Sequence, residues 1–412
     1  MLRDIFAQSW EAMTFNLRRT LITICGMAWG IATVVLLLAY GSGFGRAIEN
    51  IFAQFGTTLI GVFPGRTSEQ SGGSKAGVDI RLKMEDVDRL TASVPGMDCI
   101  SPVMYQDVSV QNELHTYTWT VNGERAIAST ILKHDVADGR FFSDAEDAQR
   151  AHVVVLGSEA KTLLFSGAYA LGQRVRLNGV SFDVIGVLKP KMQEADDDNN
   201  RQVYIPFNTM SDIKSLQYLD GIWLNYTGDY QKVEKSVRET LAAAHGFRAT
   251  DRRALHVENL MEQLSEFHIL TLALQILLTF IGALTMGIAG IGLMNIMLVS
   301  VQQRTREIGI EKALGATRRN ILLQFLSEAL VITGVGGAAG IALAYAVSIA
   351  AGRITFYSAL AANAEAADIR LIISPVSLLV AVGLLVPVGL ISGMLPAIRA
   401  ANMNPIEALR EE

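Results

Sequence analysis

Between Arg304 and Asn320 the chain reads RTREIGIEKALGATRRN, dense in both signs of charge and punctuated by Gly309 and Gly315. The chemistry such a segment offers is recognition. Arg306 and Glu307, with Glu311 and Lys312 about one turn on, present guanidinium, ammonium and carboxylate groups that can pair with charges on another protein. Gly315 suits the end of a helix, and Thr317 suits the cap of the next one. The spacing predicts an amphipathic helix at a membrane surface, where a plain reversal of the chain would have sufficed.

Residues for covalent or phosphate chemistry do not assemble into a site. The sequence has no GxxxxGK[ST] motif and no Gly-Lys dipeptide, so it lacks the P-loop that would cradle the phosphates of ATP. Gly41-Ser42-Gly43-Phe44-Gly45 imitates a phosphate-binding loop, but it closes a hydrophobic run and is expected to end a helix there. The six histidines, His115, His134, His152, His245, His256 and His268, show no HExxH or other metal-ligand spacing. The acidic run EADDDNN at 194–200 lacks the alternating ligands and distal glutamate of an EF-hand loop, and reads as a solvated turn. No catalytic residue, no metal ligand and no cofactor is expected in this chain.

The elements that must position the charged segment are hydrophobic. Half of the 412 residues are apolar, and four runs lack Asp, Glu, Lys and Arg: Thr20–Gly45, Phe267–Gln303, Ala329–Gly352 and Leu371–Ile398. Each exceeds the roughly 20 residues a helix needs to cross a bilayer core. A helix satisfies its own backbone in lipid, so four transmembrane helices are predicted. The net charge of −5 gives no basic surface for nucleic acid. Cys25 and Cys99 are the two cysteines, placed too differently to pair.

Short-loop arginines and lysines set the orientation. Arg3, Arg18 and Arg19 precede the first run, Arg304, Arg306, Lys312, Arg318 and Arg319 fill the second connection, and Arg399 and Arg410 follow the last run. The positive-inside rule places both termini and the 304–320 loop in the cytoplasm. Glu328 is the one ionisable group inside a span, about two turns into the third from its cytoplasmic side; it either snorkels to the interface, the role favoured here, or faces a helix partner.

The domain plan that follows has nine parts: a cytoplasmic amphipathic helix at 1–19, a first span at 20–45, and an α+β extracytoplasmic domain with a stalk at 46–265. A second span at 266–303, a coupling helix at 304–320 and a third span at 321–352 come next. A short external loop at 353–370, a fourth span at 371–398 and a cytoplasmic tail at 399–412 complete it. Inside the external domain, Arg174–Leu188 alternates around Asn178-Gly179, a type I′ hairpin signal. Residues 84–90 and 230–244 have helical spacing, and strands are expected near 57–63, 107–110, 115–121 and 152–156. Leu260, Leu264 and Phe267 continue a helical spacing from Val257 into the second span, which predicts a stalk helix of about 70 Å over 257–303. Small residues in the spans, notably Gly287, Gly290, Gly292, Gly336, Gly337 and Gly340, allow close helix approach within the chain or across a dimer seam.

The stretch GIAGIGLMNIMLVSVQQRTREIGIEKALGATRRNILLQFLSEALVITGVGGAAGIALA (Gly287–Ala344) closely resembles the permease signature of the MacB/FtsX-like ABC transporters, the type VII or macrolide-exporter group. The tail LPAIRAANMNPIEALREE (Leu395–Glu412) resembles the same family's C-terminus. The resemblance implies a mechanotransmission subunit of a bacterial inner membrane, working as a homodimer or heterodimer above cytosolic ATPase subunits that bind ATP and Mg²⁺. One departure from the family pattern matters: the macrolide exporter carries its nucleotide-binding domain fused ahead of the first span, whereas this sequence begins about 20 residues before it, so a separate ATPase polypeptide is expected. The resemblance also implies a periplasmic adaptor and an outer-membrane channel. The coupling motif falls on Arg304, Thr305, Arg306, Glu307, Ile308, Gly309, Glu311, Lys312, Gly315 and Ala316. Two other roles occur among such permeases: release of lipoproteins, and activation of periplasmic cell-wall hydrolases.

Overall fold

Four long apolar helices form because their residues can close every backbone hydrogen bond internally while exposing hydrocarbon. The computed structural model describes residues 17–56, 58–70, 76–194, 199–354, 358–359, 361–363 and 365–408. In chain order the helices used below are α1 (Leu17–Ala53), α2 (Met84–Ser93), α3 (Tyr230–His245), α4 (Leu260–Gln303), α5 (Thr305–Ala313), α6 (Arg318–Ala351), α7 (Pro375–Asn402) and α8 (Pro405–Ala408). Helices α1, α4, α6 and α7 are long and apolar enough to span a membrane. Most of the expected N-terminal helix, most of the acidic run at 194–200 and Arg410 lie outside the described residues.

The chain divides into two compact units. The first comprises residues up to Arg46, Ile269–Ile354 and Ile369–Glu412. Glycines set its packing. At Gly340 a Cβ would strike the Ile31 side chain and the backbone of Ala28, and at Gly336 it would lie 2.7 Å from Met27 Cβ. Gly337 faces Leu385, and Gly290 faces Val388 and Ser392. By contrast, Gly287 and Gly292 have nothing within 4 Å, so they do no packing inside this chain among the described residues. The glycines at 41–45 end no helix: α1 runs on to Ala53, with Gly41 against Gln275 and Gly43 against the backbone of Arg370. Close approach, and not chain reversal, is what those glycines supply.

The second unit comprises Ala47–His268 and Thr355–Asp368. Its strands are β1 (Leu59–Pro64), β2 (Met97–Gln111), β3 (Thr116–Glu124), β4 (Val136–Gly139), β5 (Val153–Leu156), β6 (Arg174–Leu177), β7 (Val180–Leu188), β8 (Gln193–Glu194), β9 (Val203–Pro206), β10 (Gly221–Tyr226), β11 (Leu255–Asn259) and β12 (Ala361–Ala362). The main sheet runs β11-β1-β10-β2-β3-β9-β5-β7-β4, with β6 against β2 and β7. Asn178 and Gly179 both take positive φ, +48° and +88°, as the type I′ turn between β6 and β7 requires. Ile60, Val62, Ile222 and Leu224 turn to one face, where Val87 and Leu90 of α2 and Val237 and Leu241 of α3 close the core.

One departure from the sequence reading has a clear cause. Val257 is not helical: it pairs with Val62 in β11, and helix α4 starts at Leu260. At about 1.5 Å per residue its 44 residues make a rod of about 66 Å, still well beyond a bilayer core. In the short loop after α6, Ala361 and Ala362 pair with Glu194 and Gln193, and Ser358 donates to the Asp368 carboxylate at 2.8 Å.

Candidate coupling site

Helix α5 is built at the point where α4 stops. Arg304 leaves the helical region at φ −101°, ψ 16°, and Thr305 Oγ1 donates to the Gln302 carbonyl at 2.7 Å, so the chain re-enters a helix at Thr305. At the far end Gly315 adopts φ +102°, a left-handed conformation that side chains disfavour, and Ala316 N donates back to the Glu311 carbonyl at 3.0 Å. Thr317 then caps α6, its hydroxyl accepting from Asn320 N at 3.3 Å.

Three groups lock α5 to the ends of the spans. Ile308 is buried in the core of the unit, and Gly309 is buried beside it. Lys312 Nζ donates to the carbonyls of Ala401 and Met403 at 2.6 Å each, capping α7 with a positive charge where its dipole is negative. Desolvation, and then repulsion from Arg318, hold the Lys312 pKa below the ordinary lysine value. Arg304 Nη1 donates to Glu328 Oε2 at 3.3 Å. Glu328 is therefore a buried ion-pair partner, not the snorkelling interfacial group expected from sequence, because Arg304 reaches it from the end of α4.

The opposite side of α5 is open. Arg306 and Glu307 are exposed, Ile310 is 45% exposed and Leu314 is 85% exposed. Ile406 of the adjoining α8 is 75% exposed. Of the residues assigned to coupling from sequence, Arg304, Ile308, Gly309 and Lys312 face inward or are tied down, while Arg306 and Glu307 face out. Ile310, Leu314 and Ile406 were missed. Their signal was the i, i+4 spacing of Ile310 and Leu314, roughly half a turn away from buried Ile308. The arrangement offers an apolar ridge flanked by one arginine and one glutamate. Among the described residues no three His, Cys, Asp or Glu side chains are placed to hold a metal ion.

Residues 20–240 match the MacB-like periplasmic core domain, and residues 279–405, which contain α5 and the α7 carbonyls that hold it, match the FtsX-like permease C-terminal family. The chain belongs to the MacB/FtsX-like family of ABC permeases. Its family relatives include the macrolide export ATP-binding/permease protein MacB of Bdellovibrio bacteriovorus, 30% identical over 98% of this chain and 61% of that protein. The pyoverdine export ATP-binding/permease protein PvdT of Pseudomonas putida is 30% identical over 100% of this chain and 60% of its own length. MacB of Azoarcus sp. is 32% identical over 98% and 58% respectively. The chain thus spans about three fifths of the length of these relatives. A solved periplasmic region of MacB from Actinobacillus actinomycetemcomitans aligns with 54% of this chain and 97% of its own, at a TM-score of 0.44 and 20% identity.

Proposed function

We propose that this family member is the inner-membrane permease subunit of an ABC exporter, taking energy from a partner ATPase at α5 and delivering it as motion of the external domain. The observation that carries this reading is the two-sidedness of α5: one face is fixed to α6 and α7 by Lys312, Ile308 and Arg304, and the other presents Arg306, Glu307, Ile310 and Leu314 with no covering element among the described residues. A push on the open face reaches the spans through those fixed contacts. Helices α1 and α4 each contribute residues to both compact units, so the covalent route outward is helical.

In this reading ATP and Mg²⁺ are bound by the ATPase, two permease copies act together, and both termini with α5 lie in the cytosol. A periplasmic adaptor and an outer-membrane channel complete the path. The names of the relatives, macrolide export and pyoverdine export proteins, support a small-molecule cargo. The test is reconstitution with the cognate ATPase in nanodiscs. Charge reversal by Arg306→Glu or Glu307→Lys is expected to lower permease-stimulated ATP hydrolysis several-fold and to abolish export, with assembly in the membrane intact. Full stimulation in both variants would remove α5 from the coupling path.

A further inference from the structure

The external domain holds a cleft of about 540 Å³, a size typical of sites for drug-sized ligands (about 300–1,000 Å³). It lies on the face of the sheet turned away from α2 and α3: Ile60, Val62 and Leu224 enter the core with those helices, and their neighbours Leu59, Phe63 and Trp223 line the cleft instead. The floor is aromatic, with Phe63, Tyr105, Tyr204 and Trp223, and Phe52 and Phe55 close it from the end of α1. Phe63 and Trp223 meet edge to face at 5.1 Å.

Two polar groups in this apolar setting lack the partners their chemistry calls for. Lys191 Nζ donates to the Leu132 carbonyl at 2.7 Å and sits 5.5 Å from the centre of the Phe55 ring. Among the described residues that one hydrogen bond serves an ammonium with three donors. Burial, tempered by the charges of Glu124 and Asp135, pulls its pKa down to about 8, so it remains mostly charged at neutral pH. His134 is 8% exposed; its Nε2 lies 3.3 Å from Glu124 Oε2, while its Nδ1 is buried with no hydrogen-bond partner among the described residues.

The surroundings decide the charge of what would satisfy them. Glu124 Oε2 lies beside the imidazole, 3.3 Å from His134 Nε2. The cleft's other carboxylate, Glu258, has His256 at 3.3 Å, and Asp135 has Lys189 at 3.8 Å. Asn122 Nδ2 and the Tyr204 hydroxyl both donate to Gln202 Oε1, at 3.0 and 3.3 Å. Among the described residues the Lys191 ammonium has no carboxylate within 4.0 Å, so it is the cleft's charge without an ion-pair partner. A cationic occupant would meet it head-on, and a neutral hydrocarbon would desolvate it without an acceptor. We propose that the cleft binds an amphipathic monoanion, an alkyl chain bearing a carboxylate or phosphate, with the chain on the aromatic floor and the anion at Lys191 Nζ.

This inference goes beyond the coupling reading and is tested without ATP or the ATPase, so either can fail alone. The full chain is placed in zwitterionic nanodiscs and titrated with bromoundecanoate, whose bromine quenches tryptophan fluorescence. A saturable component is expected, carried by Trp223 and therefore lost in Trp223→Phe. Lys191→Met, which keeps the volume and removes the charge, is expected to weaken it roughly ten-fold or more, the effect of losing a charged hydrogen bond. The same alkyl chain bearing a trimethylammonium group is expected to produce no saturable component. Repeating the titration in nanodiscs containing phosphatidylglycerol separates the sources: competition by the lipid identifies a lipid headgroup, and unchanged binding identifies a free amphiphile. Absence of saturable quenching, equal binding of the cationic probe, or full affinity in a folded Lys191→Met protein would overturn the proposal. If that variant does not fold, competition of undecanoate against undecylamine on the unmodified chain decides it.

Discussion

Lys312 of α5 donates hydrogen bonds to the Met403 and Ala401 carbonyls, each at 2.6 Å, across 91 and 89 residues of chain. One side chain thereby joins the helix proposed to receive force to the end of the last span. Lys312→Met keeps the aliphatic stem but orphans both carbonyls, at a cost of roughly 1–3 kcal/mol. The expected outcome is a lower thermal midpoint in detergent, faster proteolysis around residues 313–317, and weakened stimulation of the ATPase. An unchanged midpoint together with unchanged proteolysis would mean that α5 is held by other contacts.

Leu314 gives the complementary case. At 85% exposure its side chain stabilises little in the isolated chain, so Leu314→Asp should change stability by no more than about 0.5 kcal/mol. If the ATPase covers Leu314 and Ile310, the same change should weaken association roughly ten-fold or more, the consequence of burying a carboxylate where a leucine belonged. Affinity is measured by microscale thermophoresis between the ATPase and nanodisc-embedded permease. Tight binding by Leu314→Asp would place the docking ridge elsewhere.

How far these features were legible in the sequence depends on whether local chemistry or tertiary packing decided them. The Asn178-Gly179 turn was legible because positive φ at two successive residues demands such a pair. The end of α5 was legible for the same reason at Gly315. Val257 misled because its spacing to Leu260 and Leu264 imitates a helix, while pairing with Val62, nearly two hundred residues away in sequence, makes it a strand. Gly41–Gly45 misled because glycine ends helices and also lets helices touch, and only the presence of Gln275 and Arg370 distinguishes the two. Within residues 304–320 the density of charges was legible. Which of them face inward was not, since Lys312 and Arg304 find partners in α7 and α6.

The glycines separate packing inside the chain from packing between copies. Gly340→Ala would push a methyl group into Ile31, a β-branched and fully buried side chain, and is expected to destabilise by roughly 1–3 kcal/mol. Gly287→Ala meets nothing within 4 Å and should be neutral or stabilising by up to about 1 kcal/mol, the helix-propensity difference. If Gly287 lies instead at the proposed seam between copies, Gly287→Leu will leave the monomer's thermal midpoint intact and dissociate the dimer. Mass photometry of nanodisc samples reads that directly, and a stable Gly287→Leu dimer excludes this face of α4 from the seam.

Asp251 carries the last prediction, on acid stability of the external domain. Its buried carboxylate accepts from Ser68 N at 2.6 Å, Ser68 Oγ at 2.7 Å, Glu69 N at 3.0 Å and Arg253 N at 3.1 Å. Burial alone would raise its pKa, but the donors from Glu69, Ser68 and Arg253 outweigh burial and hold it at about 2, against 3.8 for an unperturbed aspartate. A folded pKa below the unfolded one means that the charged form favours folding. The contribution is complete above pH 3.8 and is lost as the pH falls towards 2. Asp251→Asn turns one acceptor oxygen into a donor facing other donors, and is expected to cost roughly 1–3 kcal/mol at neutral pH. Unfolding of the variant, followed by intrinsic fluorescence, should also lose part of the pH dependence between 4 and 2 that the unmodified chain displays. Parallel acid-unfolding curves for the two proteins would show that Asp251 does not tie the 66–70 loop to the 251–254 turn.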